Sequence, residues 1–247
     1  MIEQSVDTPE QIDARKRAAA LRALDYVESG MVLGLGTGTT ADFFLDALGR
    51  RVAEGLRVSG VPTSERSAAR ARAGSVPLVS LDDCPELDLA IDGADEIDLD
   101  TFALIKGAGG ALLREKIVAA SARRMVVIAD ERKVSGTFGA TYAVPVAVVP
   151  FAAGRTAARL AELGCHTTLR KDAQGAPFVS DDGLCIVDCR FPSIPDPHAL
   201  ADHIKSIVGV VDHGLFIDLA TTVILGTNDG TKVFHRHAPP DLSLRTT

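Results

Sequence analysis

Four segments of the 247-residue chain end an apolar run and continue in residue types that can do chemistry. In Leu89-Ala90-Ile91-Asp92-Gly93-Ala94-Asp95-Glu96, two carboxylates, Asp92 and Asp95, flank a glycine at which the backbone can turn sharply. Neighbouring carboxylates raise one another's proton affinity, so one can act as an acid while the other stays ionised. Ile105-Lys106-Gly107-Ala108-Gly109-Gly110 puts a lysine at a strand end, where an ammonium can neutralise a developing oxyanion or protonate a ring oxygen. Glu115 follows in the first turns of the next helix. The positive helix end favours its ionised form, whereas burial would lift its proton affinity into the range useful to a base. Alone, Glu115 fits a helix-surface residue paired with Lys116 or Arg114 equally well; beside the acidic turn it becomes a base candidate.

Gly34-Leu35-Gly36-Thr37-Gly38-Thr39-Thr40 lies between an apolar strand and a helix, so its N–H groups and hydroxyls face any anion at the helix N-terminus. The alternative is a tight turn that needs small residues, and Thr37, Thr39 and Thr40 tilt the choice toward a monophosphate. The dinucleotide fingerprint requires Gly where Thr39 stands, and the P-loop requires Gly-Lys-Ser/Thr, so NAD and ATP are both disfavoured. Ile128-Ala129-Asp130-Glu131-Arg132-Lys133 closes a further strand with a basic pair, where Lys133 either meets a phosphate or belongs to a solvated loop. Glu96, Asp98 and Asp100 read as a solvated edge, with Glu96 an equal candidate for shaping the site. The histidines lack His-x-x-x-His spacing and no cysteine pair completes a zinc set, so no metal is assigned. Cys185 and Cys189 share one face of a strand as packed core.

Bringing these segments together requires parallel strands whose carboxyl ends lie side by side. Thr8-Pro9-Glu10-Gln11 is a helix start, with an N-cap threonine, proline at the first helical position and glutamine three residues after the cap; it predicts a helix over 9–30 that carries Lys16. Strands are predicted at 31–33, 56–61, 76–79, 87–91, 102–105 and 125–129, with helices through 43–48, 64–73 and 111–122. This alternation indicates a doubly wound, mostly parallel α/β sheet covered on both faces. From Tyr142 the texture changes. A strand at 144–150, a helix at 157–163, strands at 165–169 and 184–187, a helix at 197–207 and a strand at 210–211 give the split βαβ order of a smaller α+β domain over 142–214. Strands at 215–219 and 222–225 then return to the first sheet, and Asn228-Asp229-Gly230 turns a hairpin into 232–234. The first domain thus comprises 1–141 and 215–247, with a frayed tail from His235.

Composition excludes several function classes. With 46% hydrophobic and 24% charged residues the chain is globular rather than disordered or membrane-spanning. A net charge of −7 and the absence of Trp disfavour a nucleic-acid partner, on field and on stacking. Four irregularly spaced cysteines read as reduced thiols. The opening ten residues lack the basic and apolar regions of a secretory signal, and the longest apolar stretches are too short to cross a bilayer. The expected location is therefore the cytoplasm, with no membrane partner.

In this order and at these separations, the 34–40 turn, Ile91-Asp92-Gly93-Ala94-Asp95-Glu96, and Lys106-Gly107-Ala108-Gly109-Gly110 with Arg114-Glu115-Lys116 resemble type A ribose-5-phosphate isomerase. The similarity extends through Ile128-Ala129-Asp130, Gly209-Val210-Val211 and Gly214-Leu215-Phe216, nearly everything before the tail. The resemblance implies a Rossmann-like domain plus a smaller ferredoxin-like one, and a homodimer or homotetramer. It implies interconversion of D-ribose 5-phosphate and D-ribulose 5-phosphate with neither metal nor organic cofactor. By the same resemblance Glu115 is the base that moves a proton between carbons 1 and 2 through an enediolate. Asp92 assists ring opening and shuttles hydroxyl protons, Asp95 places sugar hydroxyls and Lys106 stabilises oxyanion character. Lys16, Thr37, Gly38, Thr39, Thr40, Gly107 and Lys133 are similar to the family's phosphate and sugar contacts. The residue types suit the reaction: abstracting a weakly acidic C–H needs a carboxylate base, charge stabilisation at the neighbouring oxygen and a remote anchor for the substrate. Two other readings use the same residues: a sugar-phosphate sensor without turnover, and a nucleotide-dependent enzyme, which the missing fingerprints disfavour.

Overall fold

The computed structural model describes residues 7–84 and 86–236; residues 1–6, at the start of the segment read for a signal, and the tail beyond Arg236 lie outside the described residues. The Thr8 hydroxyl accepts from the Gln11 N–H and the Gln11 side chain accepts from the Thr8 N–H, which starts α1 (Pro9–Ala23) as the sequence predicts. The helix stops at Ala23 rather than at residue 30. It tightens into a 3-10 turn, Leu24–Tyr26, because Leu24, Tyr26 and Val27 fold back onto the core. The chain continues through β1 (Val32–Leu35), α2 (Thr39–Ala53), β2 (Ser59–Pro62) and α3 (Glu65–Ala73). No strand forms at 76–79, where a single bridge joins Leu78 to Gly60. Pro77 has no N–H to extend the ladder, and Ser75 just before it is left-handed.

Next come β3 (Leu89–Asp92), β4 (Glu96–Ile97), β5 (Leu104–Ile105), α4 (Leu112–Ala120), β6 (Met125–Asp130), β7 (Val144–Val148), α5 (Ala153–Ala161), β8 (His166–Leu169), β9 (Cys185–Arg190), α6 (Pro197–Lys205), β10 (Val210–His213), β11 (Leu215–Phe216), β12 (Thr222–Thr227) and β13 (Gly230–His235). The main sheet runs β13-β12-β6-β3-β1-β2, parallel except for β13, which pairs antiparallel across the Asn228-Asp229 turn. His235 ends β13 opposite Thr222, so the chain is not frayed at that residue. Alternate side chains serve opposite faces. Leu33, Leu35, Ile91 and Ile128 pack under α1 and α2, while Ala90, Val127 and Val223 face α4 and a small third sheet. No helix among the described residues is long and apolar enough to cross a membrane.

That third sheet, β11-β5-β4, corrects two expectations. The segments 102–105 and 215–219 do not join the parallel sheet; two residues of each become strand and pair with each other, antiparallel, beside Glu96–Ile97. Strands this short carry no periodicity that identifies their partner. The remaining sheet, β10-β7-β9-β8, is antiparallel throughout, with the strand order of a split βαβ unit. One face packs on α5 and α6, with Cys165, Cys185 and Cys189 in its core as free thiols. The other face meets α4, through Ala147 and Ile186 against Leu112 and Leu113. Since Val118 and Ala119 of α4 pack on the main sheet, this one helix is wedged between two sheets, and an acidic residue in its first turn has little route to solvent.

Candidate active site

The chain leaves β1 for β2 on one side, and β3 lies on the other, so the loops at their carboxyl ends diverge and open a crevice. The crevice is a cavity of about 190 Å³. Lys16, Thr37, Gly38, Thr39, Thr40, Asp95, Lys106, Gly107, Glu115 and Lys133, all read from the sequence as site residues, line it together with Asp130 and Arg132. Asp92 is set back from the cavity and bound to Lys106.

Lys106 is the hub. Its ammonium stands 3.0 Å from Asp92 Oδ2, donates to Glu115 Oε1 at 3.1 Å and to the Gly93 carbonyl at 2.6 Å. All three side chains are at most 5% exposed. Asp92 Oδ1 accepts the backbone N–H groups of Thr37 and Gly93, at 3.0 and 2.7 Å. This carboxylate therefore ties the β1 and β3 loops together. Gly36 must be glycine for that approach, because a Cβ there would stand 2.2 Å from Asp92 Oδ1. Asp95 Oδ2 accepts from the Ala108 N–H at 2.9 Å, linking the acidic turn to the glycine loop. Glu115 Oε2 is buried and has no hydrogen-bond partner among the described residues.

Burial dominates the electrostatics. It pushes the Glu115 carboxyl up to about 8 against the pull of the Lys106 ammonium, and the Asp92 charge adds to the rise. Burial works against the Lys106 charge too, but the Asp92 and Glu115 carboxylates outweigh it and raise the lysine above its ordinary value. With Glu115 as the base candidate, the carboxyl must be ionised to act, which predicts a kcat/KM that rises with pH along a limb near 8. A phosphate group on a ligand titrates at about 6 and is separable from it. A pH profile of kcat/KM checks this; a limb in the ordinary carboxylate range would contradict it.

The anion end is built from α2. Its N-cap is Gly38, which has no side chain to cap the helix, so the N–H groups of the first turn remain available to an anion. Thr37 lines the cavity, but its hydroxyl meets Thr63 Oγ1 at 2.7 Å and donates to Ser64 Oγ at 2.8 Å, so its polar groups bind protein. Helical rotation selects Lys16 over its neighbours. Arg15 turns inward to Asp7 and Asn228, and Arg17 lies over the Phe43 ring. Arg114 pairs with Glu65 and Asp182, and Lys116 with Asp212, so neither neutralises Glu115.

Of two supports of the site, sequence reasoning left one, Glu96, open and missed the other, Tyr142. Glu96 belongs to no solvated edge: it is buried and accepts the N–H groups of Gly139 and Tyr142, at 2.8 and 3.0 Å. The Tyr142 hydroxyl in turn accepts from Lys133 Nζ at 2.6 Å, holding that lysine at the cavity. An acidic run on its own contains nothing that reveals partners more than forty residues away.

A buried carboxylate, ammonium and carboxylate beside an uncapped helix N-terminus define an α/β enzyme for proton transfer on a small phosphorylated substrate. The family model for ribose 5-phosphate isomerase A (phosphoriboisomerase A) matches residues 59–230. Ribose-5-phosphate isomerase A of Synechococcus sp. (strain JA-3-3Ab) is 50% identical over 225 residues, covering 91% of this chain and 98% of that protein. The Roseiflexus castenholzii (strain DSM 13941 / HLO8) protein of the same name is 54% identical over 217 residues, 87% of this chain and 92% of that one. The solved ribose 5-phosphate isomerase A of Methanocaldococcus jannaschii matches with a TM-score of 0.86 at 38% identity, over 90% of this chain and 98% of that one. A D-ribose-5-phosphate isomerase in complex with phospho-erythronic acid matches at 0.88 and 36%, over 94% and 100%. The chain belongs to the ribose 5-phosphate isomerase A family.

Proposed function

We propose that this cavity interconverts D-ribose 5-phosphate and D-ribulose 5-phosphate, with Glu115 as the base. The observation that carries the reading is the Lys106 ammonium held between Asp92 and Glu115 in the same cavity as the uncapped α2 N-terminus, Lys16 and Lys133. The α2 N–H groups, Thr39, Thr40 and the two lysines bind the phosphate, and Asp95 and Gly107 border the sugar. Glu115 removes the proton from carbon 2 of the open-chain aldose, the pair of electrons moves into the carbon 1 carbonyl, and Lys106 stabilises the resulting oxyanion. Asp92 assists ring opening and the passage of the hydroxyl proton through Lys106, which it holds at 3.0 Å: the ammonium gives a proton to oxygen 1 and regains one from oxygen 2. Glu115 then returns its proton to carbon 1, leaving the ketone at carbon 2. A family relative binds phospho-erythronic acid, a phosphorylated acid whose planar carboxylate has the shape and charge of an enediolate, which supports the same reading.

The four free thiols support a cytoplasmic enzyme. The exposed Phe151 and Val208 border one groove on the second sheet's helical layer and support a homodimer or homotetramer. Ribose 5-phosphate incubated with the protein in deuterated water is expected to yield ribulose 5-phosphate, with exchange at carbon 2 of the recovered aldose. Substrate recovered unconverted and unexchanged, though bound, would make the chain a sensor and sink the reading.

A further inference from the structure

We propose that Arg170, on the loop after β8 of the second sheet, is a positioning residue for proton transfer, because it fixes the backbone of the 107–110 loop between Lys106 and the helix of Glu115. The inference rests on the isomerase reading and deepens it by giving the second sheet a part in the chemistry. Arg170 Nη1 donates to the carbonyls of Gly107 and Ala108, both at 3.0 Å. Asp188 on β9 holds the guanidinium in a fork, accepting from Nε at 2.9 Å and also from Nη2. The guanidinium carbon lies 5.8 Å from the centre of the Phe178 ring. That ring closes on Gly110 so tightly that a Cβ there would stand 2.5 Å from its edge. The second sheet thus presses an arginine and an aromatic ring against one side of the loop, while Gly107, Ala108 and Gly109 line the cavity with the other.

Peptide geometry turns these contacts into a constraint on the site. In a trans peptide the C=O and N–H point in opposite directions. Holding the Gly107 carbonyl therefore aims the Ala108 N–H away from Arg170, where it donates to Asp95 Oδ2 at 2.9 Å. Holding the Ala108 carbonyl aims the Gly109 N–H the same way. Three glycines among four residues do not maintain such orientations unaided. Without Arg170 the two peptide planes can rotate, and Asp95 loses its backbone donor. Lys16, Lys133 and the α2 N-terminus sit on other elements, so capture of the phosphate is independent of Arg170.

The test is kcat and KM for ribose 5-phosphate in Arg170→Met, Arg170→Lys and Asp188→Asn, measured well below their melting temperatures. Arg170→Met is expected to lose about 10- to 100-fold in kcat, with KM within about threefold of wild type. Arg170→Lys recovers only part of this, because one ammonium cannot hold the Asp188 fork and both carbonyls together. If Arg170→Met does not fold, Asp188→Asn, which keeps the arginine and loosens its hold, is expected to lower kcat several-fold at unchanged KM. A folded Arg170→Met with kcat within about twofold of wild type, or with its whole loss in KM, overturns the proposal, as does a fully active Asp188→Asn where Arg170→Met cannot be assayed. A merely structural arginine lowers the melting temperature and leaves kcat alone. Wild-type protein that does not turn over ribose 5-phosphate removes the isomerase reading and this inference with it; active wild type beside unimpaired variants removes the inference alone.

Discussion

Glu115→Gln is expected to lower kcat for ribose 5-phosphate by about 10²- to 10⁴-fold, while the substrate still raises the variant's melting temperature. Glutamine fills the same space on α4 and still offers an oxygen to Lys106, but it cannot take a proton from carbon. The groups proposed to hold the phosphate lie on α1, on the α2 N-terminus and after β6, and the substitution leaves them intact. Stability carries a second signature. Glu115 titrates near 8 in the folded protein against 4.5 in the free chain, so between those values the folded state keeps a proton that the unfolded state has released. Its contribution to stability is full below 4.5 and is lost as pH rises toward 8. The glutamine variant has no such titration. Its melting temperature relative to wild type is therefore expected to climb across that window and level off above it. Near-normal turnover would take the base role from Glu115, and a difference that stays flat with pH would show that burial does not raise it.

What could be read from the sequence depended on how local each determinant was. The capping box of Thr8 and Gln11 acts over three residues, and it located the start of α1. The apolar runs ending at Asp92 and Asp130 mark the ends of parallel strands, so the convergence of their loops followed from parallel topology, whereas Lys106 reaches the same crevice from β5 of the small antiparallel sheet. The failures around the site share one cause. β4, β5 and β11 are two residues long and exist only as partners of one another. Glu96 looks solvated in a row of acids until the N–H groups of Gly139 and Tyr142 arrive from a distant loop. The Thr37 hydroxyl, which favours a phosphate contact in a linear reading, is claimed by Thr63 and Ser64. Arg170 lies more than sixty residues from the carbonyls it holds. Each of these depends on a long-range partner, and a single sequence records the residue without recording the partner.

Lys106→Met is the other variant with a large expected effect, and it tests whether the lysine acts on the substrate, on the base, or on both. Methionine fills a similar length beside the Phe216 ring, whose centre lies 5.4 Å from the ammonium, but it brings no charge. Loss of a positioned donor to the developing oxyanion is expected to lower kcat/KM by about 10²- to 10³-fold. Lys106 is also the group that pulls the Glu115 proton affinity down. Without it, burial and the Asp92 charge act unopposed, and Glu115 stays protonated to higher pH. The limb of kcat/KM should therefore move to the alkaline side of the wild-type value near 8, and part of the deficit should be recovered as pH is raised. Asp92 keeps the N–H groups of Thr37 and Gly93, but a buried carboxylate without its cation should lower stability by about 3–5 kcal/mol. Parallel pH profiles of the two proteins, at a temperature where both are folded, separate the roles. A lost rate with an unmoved limb assigns Lys106 to the substrate oxyanion alone. A moved limb with full activity recovered at high pH assigns it to the base alone. Activity and limb both unchanged would leave the hub of the cluster with no part in the reaction.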